Sequence, residues 1–184
     1  MTTTPFPGDL IDTLASALGA VHEVMAGPRQ CLPQCYLLRR VLAAHQPGHP
    51  FTLCLGGLRV DPLDGAQSML FDPRTDVGID INAGFHAWLE DEDGRMVDPS
   101  ILWTLVAEGY AVDPTEIVVA ESRRFVGFGL GFTYERLTEL VLVGMEASEP
   151  HIARLERWVR LAMLDIEPPP LEHGVVALDV EWRP

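Results

Sequence analysis

The feature that most constrains the fold is a β-hairpin signal in the middle of the chain. Segments 84–90 and 95–98 are largely apolar and flank the turn-like stretch Asp91-Glu92-Asp93-Gly94. A three-residue loop with Gly94 in the left-handed conformation would place Asp91 opposite Arg95. Because strand side chains alternate between faces, this register predicts that even-numbered residues of both strands share one face. The chain is therefore expected to contain an antiparallel sheet.

Two amphipathic helices are predicted before this hairpin. Apolar residues recur at a helical period over 10–25, with Asp9 as a candidate cap. The second helix is predicted over about 32–44, with Pro33 in its first turn, where a missing N–H group costs nothing.

Strands and further elements are predicted from short apolar runs. A buried strand is expected at 51–55, with Gly56-Gly57 breaking or bulging it before 58–60. The alternation of Gly127, Gly129 and Gly131 with apolar residues indicates a close-packed strand or bulged loop rather than a phosphate loop, because no basic residue or helix start follows. Other strands are expected at 68–71, 116–120 and 175–182, a loop at 72–84 and an amphipathic helix at 150–166; segment 134–145 is ambiguous between helix and strand.

Length and charge limit the possible partners. The 184 residues predict a single domain over 1–184, and 13 Lys and Arg against 27 Asp and Glu give a net charge of −14. Such a surface repels phosphate backbones and anionic lipid, so neither nucleic acid nor membrane is expected as a partner. No apolar run reaches the ~18–20 residues of a bilayer span, and the N-terminus lacks the basic region of a secretory signal. Three cysteines are too few for a disulfide framework, which favours a cytoplasmic protein with free thiols.

One of these thiols lies where a nucleophile is expected. Cys31 precedes Pro33 at the start of the second helix, where unpaired N–H groups and the helix dipole favour a thiolate. The same N–H groups could hold an oxyanion. Cys35 lies one turn further along on the same helix face and is the less favoured alternative.

The hairpin supplies a base and its partner. In the register above, Trp88 faces Asp98 and His86 lies diagonally beside it, within reach of long side chains. Asp98 could then accept a hydrogen bond from one imidazole nitrogen while the other takes a proton from Cys31. Each residue alone has a plainer explanation: a buried thiol, a strand histidine and an Asp-Pro turn. The order and the facing parity together favour a Cys31-His86-Asp98 triad.

These segments resemble the papain-like and transglutaminase-like superfamily. The helix start Cys31-Leu32-Pro33-Gln34-Cys35 is similar to that of the leader peptidases of lasso-peptide biosynthesis, with Cys35 in place of a serine. The strand 86–90, His-Ala-Trp-Leu-Glu, followed by Val97-Asp98, resembles the pattern of transglutaminase-like domains. About fifty residues separate Cys31 from His86, more than in the leader peptidases, and the similarity covers about residues 29–100.

The resemblance implies a fold and a reaction class. It implies an α+β domain whose N-terminal helices pack on an antiparallel sheet. It further implies Cys31 as nucleophile, His86 as general base and Asp98 as its orienting partner. The expected reaction is acyl transfer from a peptide or protein amide to water or to an amine, as in a peptidase, an amidase or deamidase, or a transglutaminase, without a metal or organic cofactor.

Three other functions remain as alternatives. The first is a non-catalytic binding module that retains this fold, and the second is a redox or structural thiol pair at Cys31 and Cys35. The third, a zinc site, is disfavoured because only His45 and His49 are closely spaced and neither has a carboxylate or thiol partner nearby.

Overall fold

The hairpin at the centre of the chain has the predicted register. In the computed structural model, which describes residues 6–66, 68–71 and 84–136, strand β3 (His86–Glu90) pairs with β4 (Met96–Asp98) so that Leu89 faces Val97 and Glu90 faces Met96. The Asp91 N–H donates to the Arg95 carbonyl, and Gly94 has a φ of 79°. The three-residue loop is therefore confirmed.

This hairpin belongs to a seven-stranded antiparallel sheet with helices on both faces, an α+β architecture. Within the described residues the strand order is β5-β4-β3-β1-β7-β6, and β2 also pairs with β1. The remaining elements, in chain order, are α1 (Gly8–Val24), α2 (Cys31–His45), β1 (Thr52–Pro62), β2 (Met69–Phe71), α3 (Ile101–Ala107), β5 (Val118–Ala120), β6 (Arg124–Gly127) and β7 (Leu130–Arg136).

Two apolar clusters cover the two faces of the sheet. Odd-numbered residues of β3 and β4, such as Leu89 and Val97, pack with α1 and α2. Even-numbered residues, such as Trp88 and Met96, pack with α3 and with residues of β7. None of the three helices in the described part of the chain is long and apolar enough to cross a bilayer.

Strand β1 contradicts the expectation of a break at its glycines. It runs without interruption through Gly56 and Gly57. Gly56 pairs with His86 on one side and with Arg136 on the other. Gly57 pairs with Glu135 of β7. These ladder contacts hold both residues extended and outweigh the conformational freedom of glycine.

The helix starts differ in how well the sequence located them. Helix α2 begins at Cys31, one residue before the predicted start, with Pro33 in its first turn as expected. Helix α1 begins at Gly8, so the prediction of Asp9 as its cap was wrong: Pro7 holds the cap position and accepts from the Leu10 and Ile11 N–H groups. Asp9 lies inside the first turn, where its carboxylate is favoured by the helix dipole.

Two further elements were incompletely anticipated. The glycine-rich run at 127–131 is strand, one of its two predicted alternatives, except for a two-residue turn. Gly127 ends β6 and Gly131 lies in β7, while Phe128 and Gly129, with φ values of 55° and 71°, connect the two strands. Helix α3 was not predicted, although the polar pair Asp98 and Ser100 precedes its apolar residues. The predictions for 72–83, 137–145, 150–166 and 175–182 lie outside the described residues.

Candidate active site

Cys31 is the first residue of α2, and the preceding loop is held in place from within that helix. The buried Gln34 amide donates to the Met25 carbonyl at 2.9 Å and is 3.5 Å from the Gly27 carbonyl. Arg29, two residues before the cysteine, has a φ of 61°, which is unfavourable for a residue with a side chain. The chain thus makes a sharp, anchored turn immediately before the thiol.

The beginning of α2 leaves backbone donors without intrahelical partners. Its first internal bond runs from the Gln34 N–H to the Gln30 carbonyl, at 2.9 Å. Pro33 has no N–H group, so the Cys31 and Leu32 N–H groups are the donors at this end that the helix itself does not use. They are positioned to stabilise negative charge beside the sulfur.

His86 contacts both of the other predicted residues. Its Nε2 lies 2.5 Å from Asp98 Oδ2, as the diagonal hairpin geometry predicted. The Cys31 thiol is close enough to the same imidazole to help raise its pKa. The structure therefore brings Cys31 and Asp98 together around the His86 ring.

The electrostatics of this group favour a charged imidazole. Burial alone would lower the pKa of His86, but the Asp98 carboxylate and the Cys31 thiol outweigh burial and raise that pKa to about 10. For Asp98, burial acts to raise the pKa, yet the charge of His86 and several hydrogen bonds lower it. Both shifts favour the charged form of the pair, an imidazolium and a carboxylate.

Asp98 is held by donors on both oxygens. Oδ2 accepts from His86 and from the Tyr134 hydroxyl, the latter at 2.9 Å. Oδ1 accepts from the Ser100 N–H at 2.9 Å, the Ser100 hydroxyl at 3.1 Å and the Ile101 N–H at 3.1 Å. This arrangement suits a buried carboxylate, and it also satisfies the first donors of α3.

The two other cysteines lie in environments that disfavour a thiolate. Cys35 has no exposed surface, and burial together with the Asp98 charge raises its pKa well above the usual range. Burial and the Glu90 carboxylate raise the pKa of Cys54 to about 12. Cys31 is the only one of the three that is partly exposed, and none of them forms a disulfide.

Sequence reasoning missed Tyr134 and an ion pair on the same sheet face between the buried Glu90 and the partly exposed Arg136. Glu90 accepts a hydrogen bond from Trp88 Nε1 at 2.6 Å and also binds Arg136. Trp88 itself is fully buried in the core. Alternation along β7 could have indicated a buried Tyr134, but nothing local specifies its partner. Among the described residues, no three His, Cys, Asp or Glu side chains converge as a metal site requires.

Comparisons with known proteins identify no relative from which the chemistry of the site could be transferred. No family model, no curated protein and no solved structure matches this chain.

Proposed function

We propose that this protein is a cysteine-dependent acyl hydrolase or acyltransferase of the papain-like or transglutaminase-like type. The observation that carries the proposal is the pair of contacts on one imidazole. His86 bonds Asp98 through Nε2 and also interacts with the Cys31 thiol, although these residues come from α2, β3 and β4. The layout of a helix-start cysteine and a histidine and aspartate on adjacent strands supports the superfamily assignment.

The charge state of His86 suggests how the thiol is activated. An imidazolium beside the sulfur stabilises a thiolate, which is the nucleophilic form. The thiolate attacks the carbonyl carbon of an amide, a C–S bond forms, and the carbonyl electron pair moves onto oxygen. The Cys31 and Leu32 N–H groups at the start of α2 are the donors nearest this oxyanion.

Collapse of the tetrahedral intermediate completes the acylation. The C–N bond breaks, and the departing amine takes the proton from His86, leaving a thioester on Cys31. The Asp98 carboxylate raises the pKa of His86, so the imidazolium is available as the acid for this step. Neutral His86 then takes a proton from the acceptor, which attacks the thioester. The C–S bond breaks, and the Cys31 thiolate leaves beside the re-formed imidazolium.

The acceptor determines the class of reaction. Water as acceptor gives a peptidase, amidase or deamidase, whereas an amine gives a transglutaminase-like transfer. The expected substrate is a peptide or protein amide.

Acylation by an activated ester tests this proposal without knowledge of the natural substrate. With p-nitrophenyl acetate, we expect one acetyl group on Cys31, identified by mass spectrometry and removed by hydroxylamine. The adduct should be absent in Cys31→Ala and strongly reduced in His86→Ala. Cys54→Ala is the matched control, since it removes a buried thiol from the same chain and should leave acetylation unchanged.

Two results would overturn the proposal. One is acetylation of Cys31 no faster than that of the unfolded chain. The other is an acetylation rate that His86→Ala leaves unchanged. Either result would favour the alternative function, a non-catalytic binding module that has the same fold but no reactive thiol.

A further inference from the structure

Tyr134 makes a contact for which the sequence offered no explanation. Its hydroxyl donates to Asp98 Oδ2 at 2.9 Å, across 36 positions of sequence. This is the same oxygen that accepts from His86 Nε2. Tyr134 is 2% exposed. A hydroxyl from a strand that does not adjoin β4 thus shares one carboxylate oxygen with the histidine.

The sheet register explains how a β7 residue reaches a β4 carboxylate. Tyr134 pairs with Leu58 of β1, and His86 pairs with Gly56 two residues earlier in the same strand. All of these side-chain positions belong to one face, so the tyrosine and the histidine lean toward each other across β1. Their ring centroids are 5.9 Å apart, and Phe71 lies 5.4 Å from the imidazole.

The hydroxyl has two physical effects on the carboxylate. It fixes the position of Oδ2, and it stabilises the ionised form, since a hydrogen bond to a charge favours that charge. Burial and the Asp98 charge raise the pKa of Tyr134 well above its usual range, so the phenol remains a donor. The titratable groups around Asp98 are His86 on β3, Tyr134 on β7 and Cys35 on α2.

We infer that Tyr134 is a positioning residue of this site, which holds Asp98 Oδ2 ionised and in line with His86 so that the imidazole stays directed at Cys31. The inference rests on the proposed function. Tyr134 itself touches no reacting atom. It acts through Asp98, and in this way β7 joins α2, β3 and β4 in building the site.

The substitution Tyr134→Phe tests the inference because it removes only the hydroxyl and keeps the ring contacts. We expect the rate constant for acetylation of Cys31 to fall about tenfold, the effect of one hydrogen bond to a charged group. We also expect the acid limb of the pH–rate profile to move to higher pH, because Asp98 becomes easier to protonate. Tyr110→Phe is the matched control, since Tyr110 packs on the same apolar cluster.

A merely structural role predicts a different outcome. A slower reaction with an unmoved acid limb, or no change in either quantity, would overturn the inference. If Tyr134→Phe does not fold, site-specific 3-fluorotyrosine at position 134 supplies a stronger donor and should move the acid limb to lower pH. An unmoved limb in that variant would equally overturn the inference.

A second measurement separates this inference from the proposed function. The His86 imidazole can be followed by NMR in the wild type and in Tyr134→Phe, whether or not Cys31 reacts. If Cys31 proves inert, the proposed function fails. A His86 spectrum and titration that Tyr134→Phe leaves unchanged would then overturn the positioning role, whereas a shifted spectrum would support the contact.

Discussion

Replacing Asp98 with asparagine preserves the shape of the side chain but removes the charge that keeps His86 protonated. Five donor contacts converge on the two Asp98 oxygens. An asparagine retains one oxygen, which can serve Ser100 and Ile101, and directs its amide group at His86 and Tyr134. The imidazole can then bond to that amide only as a neutral acceptor at Nε2, which leaves the proton on Nδ1.

The size of the effect follows from the titration of His86. The carboxylate is the main reason that its pKa is raised to about 10. If that pKa returns to the ordinary value of about 6.5, only about one tenth of the imidazole is charged at about pH 7.5. Labelling of Cys31 at that pH should therefore slow by up to about tenfold, because most of the charge that assists the thiol is lost. Loss of one member of a buried charge pair should also lower the free energy of unfolding by about 3 kcal/mol.

The assay is iodoacetamide labelling of Cys31, measured by mass spectrometry between about pH 5 and pH 9. Wild type should label near neutral pH, and Asp98→Asn should label only in the alkaline range typical of an unassisted thiol. Asp113→Asn is the matched control, because Asp113 is an exposed carboxylate whose hydrogen bonds go to Thr115. Urea unfolding of the same three proteins measures the loss of stability.

An unchanged labelling profile in Asp98→Asn would refute the reasoning. It would mean either that Asp98 does not maintain the imidazolium or that the imidazolium does not act on the thiol. A variant that is destabilised but keeps the wild-type labelling profile would assign Asp98 a purely structural role as the acceptor for the Ser100 and Ile101 N–H groups at the start of α3.

The other predictions concern the ion pair, the second thiol and the turn. The His86 contribution to stability is complete below about pH 6.5 and is lost as pH rises through about 10. The Asp98 contribution is present above about pH 4 and is lost as pH falls through its lowered pKa. A urea midpoint that stays constant as pH rises past 10 would contradict the predicted loss of the His86 contribution. Cys35→Ser should lower the free energy of unfolding by about 1–3 kcal/mol, because it buries a hydroxyl in the core. The rate of Cys31 labelling should stay within about twofold of wild type. Loss of that labelling would point to Cys35 as the reactive thiol. Gly94→Ala should cost about 1 kcal/mol in thermal unfolding, because φ is 79° although the added methyl group meets no atom within 4 Å, and full stability would argue against the left-handed turn.

Local patterns were enough to predict the parts of the site that lie close together in sequence. The loop that ends at Gly94 determines which residues of β3 and β4 face each other, so strand parity alone placed His86 beside Asp98. Helical periodicity and Pro33 placed Cys31 at a helix start. These inferences depend on turn geometry and on fixed periods of two and 3.6 residues, which short segments encode.

Contacts between distant strands were decided only by the tertiary structure. Pairing with β3 and β7 kept Gly56 extended, and pairing with β7 kept Gly57 extended, although glycine alone favours a break. The bonds from Tyr134 to Asp98 and from Arg136 to Glu90 depend on β7 lying beside β1. The two-residue period of a strand predicts which face of the sheet a side chain occupies, but it does not predict which strand lies next to it. That choice is made by the packing of the whole sheet, and so the residue that steadies the carboxylate could not be found from the sequence.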